Sequence, residues 1–174
     1  MFENTPNQTS MLADREIREL CQQETPLIKD APDFDLQLQS SGFDLTVKRI
    51  TKMKGNATVG GPHRSSVAAE EDISPIDGWF ALKQGAYLVY VNEYTNIPND
   101  LAGLVFARST LFRSGGMLET GVWDSGFQGR GRLGLFVIGV DSIRIEHNQP
   151  IGQIVFFRTS GAEKGFQFNE YFIE

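Results

Sequence analysis

Hydrophobic and polar positions alternate or form short apolar runs along most of the chain, a pattern typical of β-strands. Between Gln37 and Ile50 the alternation predicts a strand with one buried face, with a bend at Gly42. From Trp79 onward, three runs rich in Tyr, Val, Phe and Leu follow: W-F-A-L-K, A-Y-L-V-Y-V-N and L-A-G-L-V-F-A. Further strands are predicted at Gly134–Ile138, Ser142–Glu146 and Ile151–Arg158. Strands at this spacing, without helices between them, predict an all-β sandwich, jelly roll or barrel.

A helical pattern is confined to the beginning of the chain. Apolar residues recur at helical spacing between Leu12 and Cys21, which predicts one short helix over roughly Ala13–Gln23. Residues 1–10 are polar without periodicity, and we expect them to be disordered. The segment Thr51–Pro75 is polar and contains glycine, which predicts a long loop or a mobile hairpin.

The stretch Ala107–Phe136 contains four arginines and seven glycines. Interior glycines disfavour a helix, so short strands joined by tight turns are predicted there. This segment carries four anion-binding candidates and a single aspartate, Asp124; the candidates are Arg108, Ser109, Thr110 and Arg113. Arginine binds phosphate bidentately, hydroxyls and turn amides complete an anion site, and a carboxylate can orient or deprotonate water. The combination indicates a nucleotide-phosphate site, although Arg-Ser-Thr in a turn is more often structural.

Composition limits the classes of partner. With 174 residues, a net charge of −6 and a pI near 5.0, the chain is expected to form one domain that binds neither nucleic acid nor anionic membranes. A small polyanion is not excluded, because a few arginines can dominate a local site. The single cysteine excludes an intrachain disulfide and a Cys-rich zinc site. No apolar run approaches the ~18 residues of a membrane span, and the first residues do not resemble a signal peptide, so a cytoplasmic location is expected.

Several common catalytic signatures are missing from the sequence. It contains no P-loop motif, no G-x-G-x-x-G before a helix and no zinc deaminase signature. His63 and His147 are predicted to be solvated loop residues, and nothing favours a Ser-His-Asp triad. Cys21 is expected to belong to the core rather than to act as a nucleophile.

Four short motifs occur in an order that is more specific than any one of them. They are S-G-F-D-L (Ser41–Leu45), A-R-S-T-L (Ala107–Leu111), T-G-V-W-D-S-G-F-Q-G (Thr120–Gly129) and P-I-G-Q-I-V-F (Pro150–Phe156). Together they resemble the motifs of the dUTPase and dCTP deaminase superfamily. The opening L-A-D-R-E-I resembles the start of the deaminase branch, and W-D-S-G-F-Q-G-R is similar to the archaeal-type dUTPases within that branch.

This resemblance implies an architecture and an assembly. The fold would be an all-β distorted jelly roll of the dUTPase-like β-clip type, with a short N-terminal helix. Residues 1–174 would form a single domain, with a C-terminal lid or tail over residues 160–174. The ligand would be a deoxynucleoside triphosphate, bound by a homotrimer whose active sites are shared between subunits.

The resemblance also implies roles for the residues at matched motif positions. Asp124 would contact the deoxyribose 3′-hydroxyl and position the attacking water, and Phe127 would pack under the deoxyribose. Gln153 would contact phosphate or the water, and Asp44 would support Arg108 or the metal-bound water. Phosphate binding is implied for Arg108, Ser109 and Thr110, with Arg113 as a further substrate-binding candidate. Three alternatives stay open: a solvent-facing Asp44, a core Phe127, and a Gln153 that satisfies a buried backbone group.

Two departures from the superfamily pattern bear on the reaction. Gly134 occupies the position where deaminases carry a proton-transferring glutamate, which disfavours deamination. The C-terminal dUTPase motif is also missing, whereas K-G-F-Q resembles the G-K-Y-Q lid of the deaminase branch and implies lid roles for Lys164, Phe166 and Gln167. The expected activity is hydrolysis of dUTP to dUMP and pyrophosphate, with Mg²⁺ held mainly by the triphosphate. The alternatives are a dCTP deaminase, monofunctional or bifunctional, and a non-catalytic deoxynucleotide-binding module.

Overall fold

A computed structural model of the chain describes residues 10–61 and 65–166. Three short helices lie among many strands: α1 is Asp14–Cys21, α2 is Phe34–Gln37 and α3 is Ser109–Arg113. The strands are β1 (Ile28–Lys29), β2 (Leu38–Gln39), β3 (Gly42–Lys54), β4 (Ala69–Ile73), β5 (Trp79–Asn96), β6 (Leu101–Ala107), β7 (Gly116–Glu119), β8 (Gln128–Glu146) and β9 (Pro150–Arg158). The helix predicted over Ala13–Gln23 is therefore present as α1. The predictions for residues 1–9, His63 and Gln167 lie outside the described residues.

The strands form one antiparallel sheet with the order β6-β9-β3-β5-β8-β7, to which β1 adds on β5, and β2 and β4 add on β3. The long strands β5 and β8 pair from Trp79↔Glu146 to Asn96↔Gln128 and form the largest part of the sheet. Inward-facing aliphatic and aromatic side chains of these strands, together with Leu12 and Ile17, make one core. The predicted all-β fold with a short N-terminal helix is confirmed.

Strand β3 belongs to two neighbourhoods of the sheet. Its first residues pair with β2 and β9, and its later residues pair with β4 and β5. The expectation of a single buried face is wrong for its first half, because every residue from Gly42 to Val47 is buried. Phe34 of α2 packs on the apolar face, with its ring 5.3 Å from the Phe43 ring. On the other face, Arg108 lies against the Asp44 carboxylate and the Thr46 hydroxyl donates to the buried Glu93. The solvent-facing interpretation of Asp44 is therefore also wrong, since 2% of that residue is exposed.

Several predicted strand boundaries are wrong because glycine marks bulges as well as turns. W-F-A-L-K and A-Y-L-V-Y-V-N form one strand, β5, with a register shift at Gly85, whose φ is +152°. In the same way, Gly134–Ile138 and Ser142–Glu146 are parts of the single strand β8. The predicted strand from Gln37 begins later, at Gly42, because Gln37 ends α2. Thr51–Pro75 contains a hairpin, in which β4 pairs with the end of β3.

The helix α3 lies where strands and turns were predicted. The glycines of the central stretch begin only after it, and Gly115 follows the helix with φ +85°. Leu111 on α3 packs into the core, with 6% of its surface exposed. A single helical turn between β6 and β7 therefore buries one apolar side chain and leaves its polar neighbours outside.

Two residues that were considered as possible nucleophiles or bases have ordinary surroundings. Cys21 is partly buried against the core, and this burial raises the pKa of its thiol, as expected of a structural cysteine. His147 is exposed in the turn between β8 and β9. Within residues 10–61 and 65–166, no helix has the length and apolar character needed to cross a membrane.

Candidate active site

A buried carboxylate lies beneath the arginine that follows β6. Arg108 Nη1 is 2.8 Å from Asp44 Oδ2, and the exposed fractions of the two side chains are 37% and 3%. Within the described residues, Oδ2 accepts no hydrogen bond of good geometry, so the contact is an ion pair governed by charge. Burial raises the pKa of Asp44, and the neighbouring guanidinium opposes that rise. The predicted pairing of Asp44 with Arg108 is therefore present.

Neighbouring strands place Gln153 beside this ion pair. Gln153 on β9 pairs with Asp44 on β3 and with Phe106 on β6, and paired residues of antiparallel strands face the same side of a sheet. The Gln153 side chain lies over Gly42, where a Cβ would be 3.0 Å from Nε2. Gly42 is thus needed for close approach, and the predicted bend at this residue is replaced by the start of β3.

The remaining anion-binding candidates lie on α3. The Arg108 N–H donates to the Ile151 carbonyl of β9, which fixes the point where β6 ends and the helix begins. Ser109, Thr110 and Arg113 follow and are all exposed. The end of β6 and the helix α3 therefore carry a guanidinium, two hydroxyls and a second cation that solvent can reach.

Asp124 is exposed on a turn between β7 and β8, and β6 holds the base of this turn at two points. Trp123 exchanges both backbone hydrogen bonds with Gly103 of β6, at 2.8 and 2.9 Å. On the other side of Asp124, the Ser125 hydroxyl donates to the Leu101 carbonyl at 2.6 Å. The carboxylate is consequently presented to solvent on a backbone that is fixed on both sides.

Three aromatic rings support this turn. The Phe127 ring lies 5.4 Å from the Trp123 ring and 5.4 Å from the Phe166 ring, and the Phe166 N–H donates to the Ser125 carbonyl. Phe127 is 9% exposed, so in the single chain its ring lies largely in the core, which was the alternative to a contact with the deoxyribose. Of the predicted lid residues, Phe166 contacts the turn and Lys164 is exposed.

Glycine allows the Trp123 ring to lie flat on β8. A Cβ at Gly131 would be 1.9 Å from Trp123 Cζ2 and 2.2 Å from Cη2, far inside an ordinary carbon–carbon contact. Gly131, in the glycine-rich sequence after the turn, is therefore required for packing. It leaves room for the indole of Trp123, the residue that precedes Asp124.

The two predicted halves of the site are not brought together within one chain. Trp123 bridges to the free edge of β6, whereas Asp44 lies two strands away on the opposite side of β6. Five residues separate Gly103 from Arg108 along the strand, which is about 17 Å at about 3.3 Å per residue. Within a single chain, the turn that bears Asp124 and the residue Arg108 are therefore attached at well-separated points of β6.

Gly134 faces a carboxylate across the ladder. It pairs with Glu119 of β7, and a Cβ at Gly134 would be 3.5 Å from Glu119 Cβ and 3.3 Å from its carbonyl oxygen. Glu119 is exposed. The sequence alone does not place Glu119 next to Gly134, because the two residues are neighbours only through the pairing of β7 with β8.

Sequence reasoning also missed residues around Asp44. Phe106 is 57% exposed and in line with Gln153, and its exposure in an otherwise apolar strand could not be inferred from the alternation. Below Asp44, the side chains of Gln37 and Glu93 are buried and hydrogen-bonded to each other. A signal for Glu93 was available, since it is a charged residue inside the strand-forming run V-Y-V-N-E-Y.

Comparison with known proteins agrees with the motif order. Residues 11–159 match the dCTP deaminase-like family. This chain belongs to that family. A Methanococcoides burtonii protein named probable deoxyuridine 5′-triphosphate nucleotidohydrolase is 36% identical to this dCTP deaminase-like chain over 160 residues, covering 90% of it and 94% of the relative. A protein of the same name from Archaeoglobus fulgidus is 33% identical over 158 residues, covering 91% and 94%.

The fold of this dCTP deaminase-like chain is also found in a solved structure. The 2′-deoxycytidine 5′-triphosphate deaminase of Agrobacterium tumefaciens superposes with a TM-score of 0.68 at 22% identity. The match covers 87% of the present chain and 49% of the Agrobacterium chain, so the present chain spans about half the length of that protein. At this identity the likeness supports the fold and leaves the reaction to the site.

Proposed function

We propose that this chain hydrolyses dUTP to dUMP and pyrophosphate. The observation that carries the proposal is its similarity, over nine-tenths of its length, to archaeal relatives named as probable dUTP nucleotidohydrolases. The arrangement of Arg108, Ser109 and Thr110 at one sheet edge supports it, because such groups bind phosphate oxygens. Gly134 also supports it, since the residue has no side chain with which to transfer a proton to a base.

The mechanism assigns separate tasks to the two halves of the site. Asp124 accepts a hydrogen bond from water and orients its oxygen toward the α-phosphorus. The new phosphorus–oxygen bond forms as the bond to the bridging oxygen breaks, and pyrophosphate leaves with that oxygen. Arg108, supported by Asp44, stabilises the charge that develops on the phosphate oxygens, and Gln153 donates its amide hydrogen atoms to the same region.

Magnesium would be bound mainly by the triphosphate. Among the described residues, no three His, Cys, Asp or Glu side chains converge on a point where they could hold a metal ion. The structure thus fits a nucleotide-borne ion, which Mg²⁺ accepts because it prefers phosphate oxygens and retained waters. When bound, Mg²⁺ neutralises part of the charge on the triphosphate.

The site is completed by a second copy of the chain, in a homotrimer with shared active sites. The separation of Arg108 from Asp124 along β6 supports this, because one triphosphate needs both groups. Phe127, beneath the turn that bears Asp124, would pack under the deoxyribose, and the segment with Lys164, Phe166 and Gln167 would close over it. The variants Arg108→Ala and Asp124→Asn should each be inactive, and refolding them together should restore part of the activity in mixed trimers.

A second candidate function is deamination of dCTP, alone or together with hydrolysis. The observation in its favour is Glu119, whose carboxylate lies on the face of β8 from which the Gly134 side chain is missing. A carboxylate there could move protons between the attacking water and the departing ammonia. Under this alternative, ammonia release from dCTP would occur and would be lost in Glu119→Gln.

The deciding experiment measures pyrophosphate and ammonia in parallel for each deoxynucleoside triphosphate. We expect pyrophosphate from dUTP and no ammonia from dCTP. Asp124→Asn should abolish turnover while changing nucleotide affinity by less than about tenfold, because the amide keeps the volume but cannot act as an anionic base. Retention of more than a few per cent of the wild-type rate would remove Asp124 from the mechanism, and binding of dUTP without turnover by the wild type would indicate a binding module.

A further inference from the structure

Glu93 is a carboxylate at the centre of the fold without a cation beside it. Its side chain is fully buried and accepts hydrogen bonds from Gln37 Nε2 at 2.7 Å, Thr46 Oγ1 at 2.5 Å and the Thr46 N–H at 3.0 Å. Within the part of the chain that the structure describes, no lysine or arginine pairs with it. Burial raises the pKa of Glu93, and the hydrogen bonds from Thr46 and Gln37 oppose that rise. A buried ionisable group of this kind costs stability, so its presence calls for another explanation.

The location of Glu93 in the sheet explains why a carboxylate is buried there. It lies where β5 leaves its neighbours, since pairing with β3 ends at Val91 and pairing with β8 shifts between Tyr90 and Tyr94. Strand β3 changes partners at the same level. Its pairing with β9 shifts after Leu45. At this irregularity the Thr46 N–H donates to the Glu93 carboxylate, which takes the place of a strand carbonyl as its acceptor.

Gln37 extends this support to Asp44. Its Nε2 donates to the Asp44 carbonyl at 2.8 Å and to Glu93 Oε1, and its Oε1 accepts from the Asp33 N–H at 3.0 Å. Because every polar atom of the Gln37 amide is used, its orientation is fixed. The backbone of β3 is therefore held by buried side chains both at Asp44 and at Thr46.

We propose that Glu93 is a positioning residue for the phosphate-binding arginine. Through Gln37 and Thr46 it fixes the β3 backbone on both sides of Leu45, and this sets the Asp44 carboxylate beneath the Arg108 guanidinium. The inference rests on the proposed function, in which Arg108 binds the triphosphate. It accounts for a buried carboxylate that the hydrolytic mechanism itself does not use.

The variant Glu93→Gln tests this directly. Three donors converge on the two carboxylate oxygens, and an amide has only one oxygen, so its NH₂ group must face a donor and displace it. With Gln37 or Thr46 displaced, the contact between Asp44 and Arg108 loosens. We expect the KM for dUTP to rise about tenfold, and kcat to fall as well, because Arg108 also stabilises the charge that develops on the phosphate oxygens.

The pH profile provides a readout that a general loss of stability would not produce. Arg108 holds down the pKa of Asp44 against the effect of burial. When the pair loosens, the pKa of Asp44 rises, so the acid limb of kcat/KM moves to higher pH in Glu93→Gln. Glu93 itself no longer titrates in this variant, and the shift therefore reports Asp44.

Matched variants separate positioning from folding. Thr46→Val removes the hydroxyl that donates to Glu93 and should reproduce the rise in KM, whereas Thr46→Ser keeps the hydroxyl and should remain close to wild type. Leu82→Val truncates a buried side chain on the distant half of β5. It should lower the melting temperature without changing the KM or the acid limb. If Glu93→Gln does not fold, the Thr46 pair decides the question.

The failure of this inference can be told apart from failure of the proposed function. If the wild type hydrolyses dUTP and Glu93→Gln keeps the wild-type KM and acid limb, Glu93 does not position Arg108, and the proposed function stands. If the wild type releases no pyrophosphate from dUTP, the proposed function is wrong. The inference is then decided by NMR titration of the Asp44 carboxyl carbon: a higher pKa in Glu93→Gln supports it, and an unchanged pKa overturns it.

Discussion

Replacing Gly131 by alanine should lower the activity by displacing the Trp123 indole, which packs on β8 next to Asp124. The added methyl would lie 1.9 Å from Trp123 Cζ2, whereas carbon atoms in contact are about 3.5–4.0 Å apart. The indole must therefore move by about 1.5–2 Å, the difference between these distances. Its backbone cannot follow freely, because both hydrogen bonds to Gly103 hold it against β6. The ring must instead rotate, away from Phe127 or toward Asp124.

The size of the effect follows from this geometry. Overpacking a buried site costs about 1–3 kcal/mol, which lowers the melting temperature of a chain of this length by about 2 to 12 °C. A displacement of a catalytic group by about 1 Å can cost about 100-fold in rate. Because Asp124 is covalently attached to the displaced residue, we expect kcat to fall by about this factor, more than any change in KM.

The assay is steady-state dUTP hydrolysis together with thermal unfolding, and Gly121→Ala is the control. Gly121 lies in the same turn, and a Cβ there would meet nothing within 4 Å. The control should keep its rate and its melting temperature. Wild-type kcat in Gly131→Ala, in a protein whose melting temperature has fallen, would show that the Trp123 ring does not set the position of Asp124.

Other substitutions have similarly definite outcomes. Phe127→Ala should raise the use of UTP relative to dUTP, at a cost of about 3–5 kcal/mol in stability, and a folded variant with unchanged selectivity would exclude its ribose contact. Gly134→Glu should give at most weak ammonia release from dCTP, because the new carboxylate would crowd and repel Glu119. Asp44→Asn should lower kcat/KM without lowering stability at neutral pH. Burial raises the pKa of Asp44, so its favourable contribution is present below the unfolded pKa of about 3.9 and is lost as pH rises through the folded pKa. The advantage of Asn over Asp should therefore shrink toward pH 3, and an equal advantage at every pH in thermal unfolding would contradict this reasoning.

The strand content could be read from the sequence because alternation with period two is a local property. The strand limits could not. Gly85 produces a bulge inside β5, and only the partner strand β8 distinguishes a bulge from the turn that the sequence indicated. The helix α3 was missed for a related reason, since one buried leucine decides it and its burial depends on strands far away in sequence.

The motifs located Asp44, Arg108 and Asp124, but not their mutual arrangement. Alternation made Asp44 an outward residue, whereas in the structure its side chain is buried against Arg108. The contact between Asp44 and Arg108 depends on the order β6-β9-β3, and the separation of Arg108 from Asp124 depends on the bridge between Trp123 and Gly103 of β6. That order is set by long-range pairing, which no local pattern contains.

Because β3 pairs with β9 in its first part and with β5 in its later part, it affects how the protein unfolds. Residues before Thr46 hold β9 and those after it hold β5, so neither neighbourhood can open without breaking a strand that the other needs. Local opening is available only to segments with few such ties. The backbone amides of the middle of β3 should therefore exchange with solvent deuterium only when the whole chain unfolds, with one common free energy of opening for Leu45 and Val47.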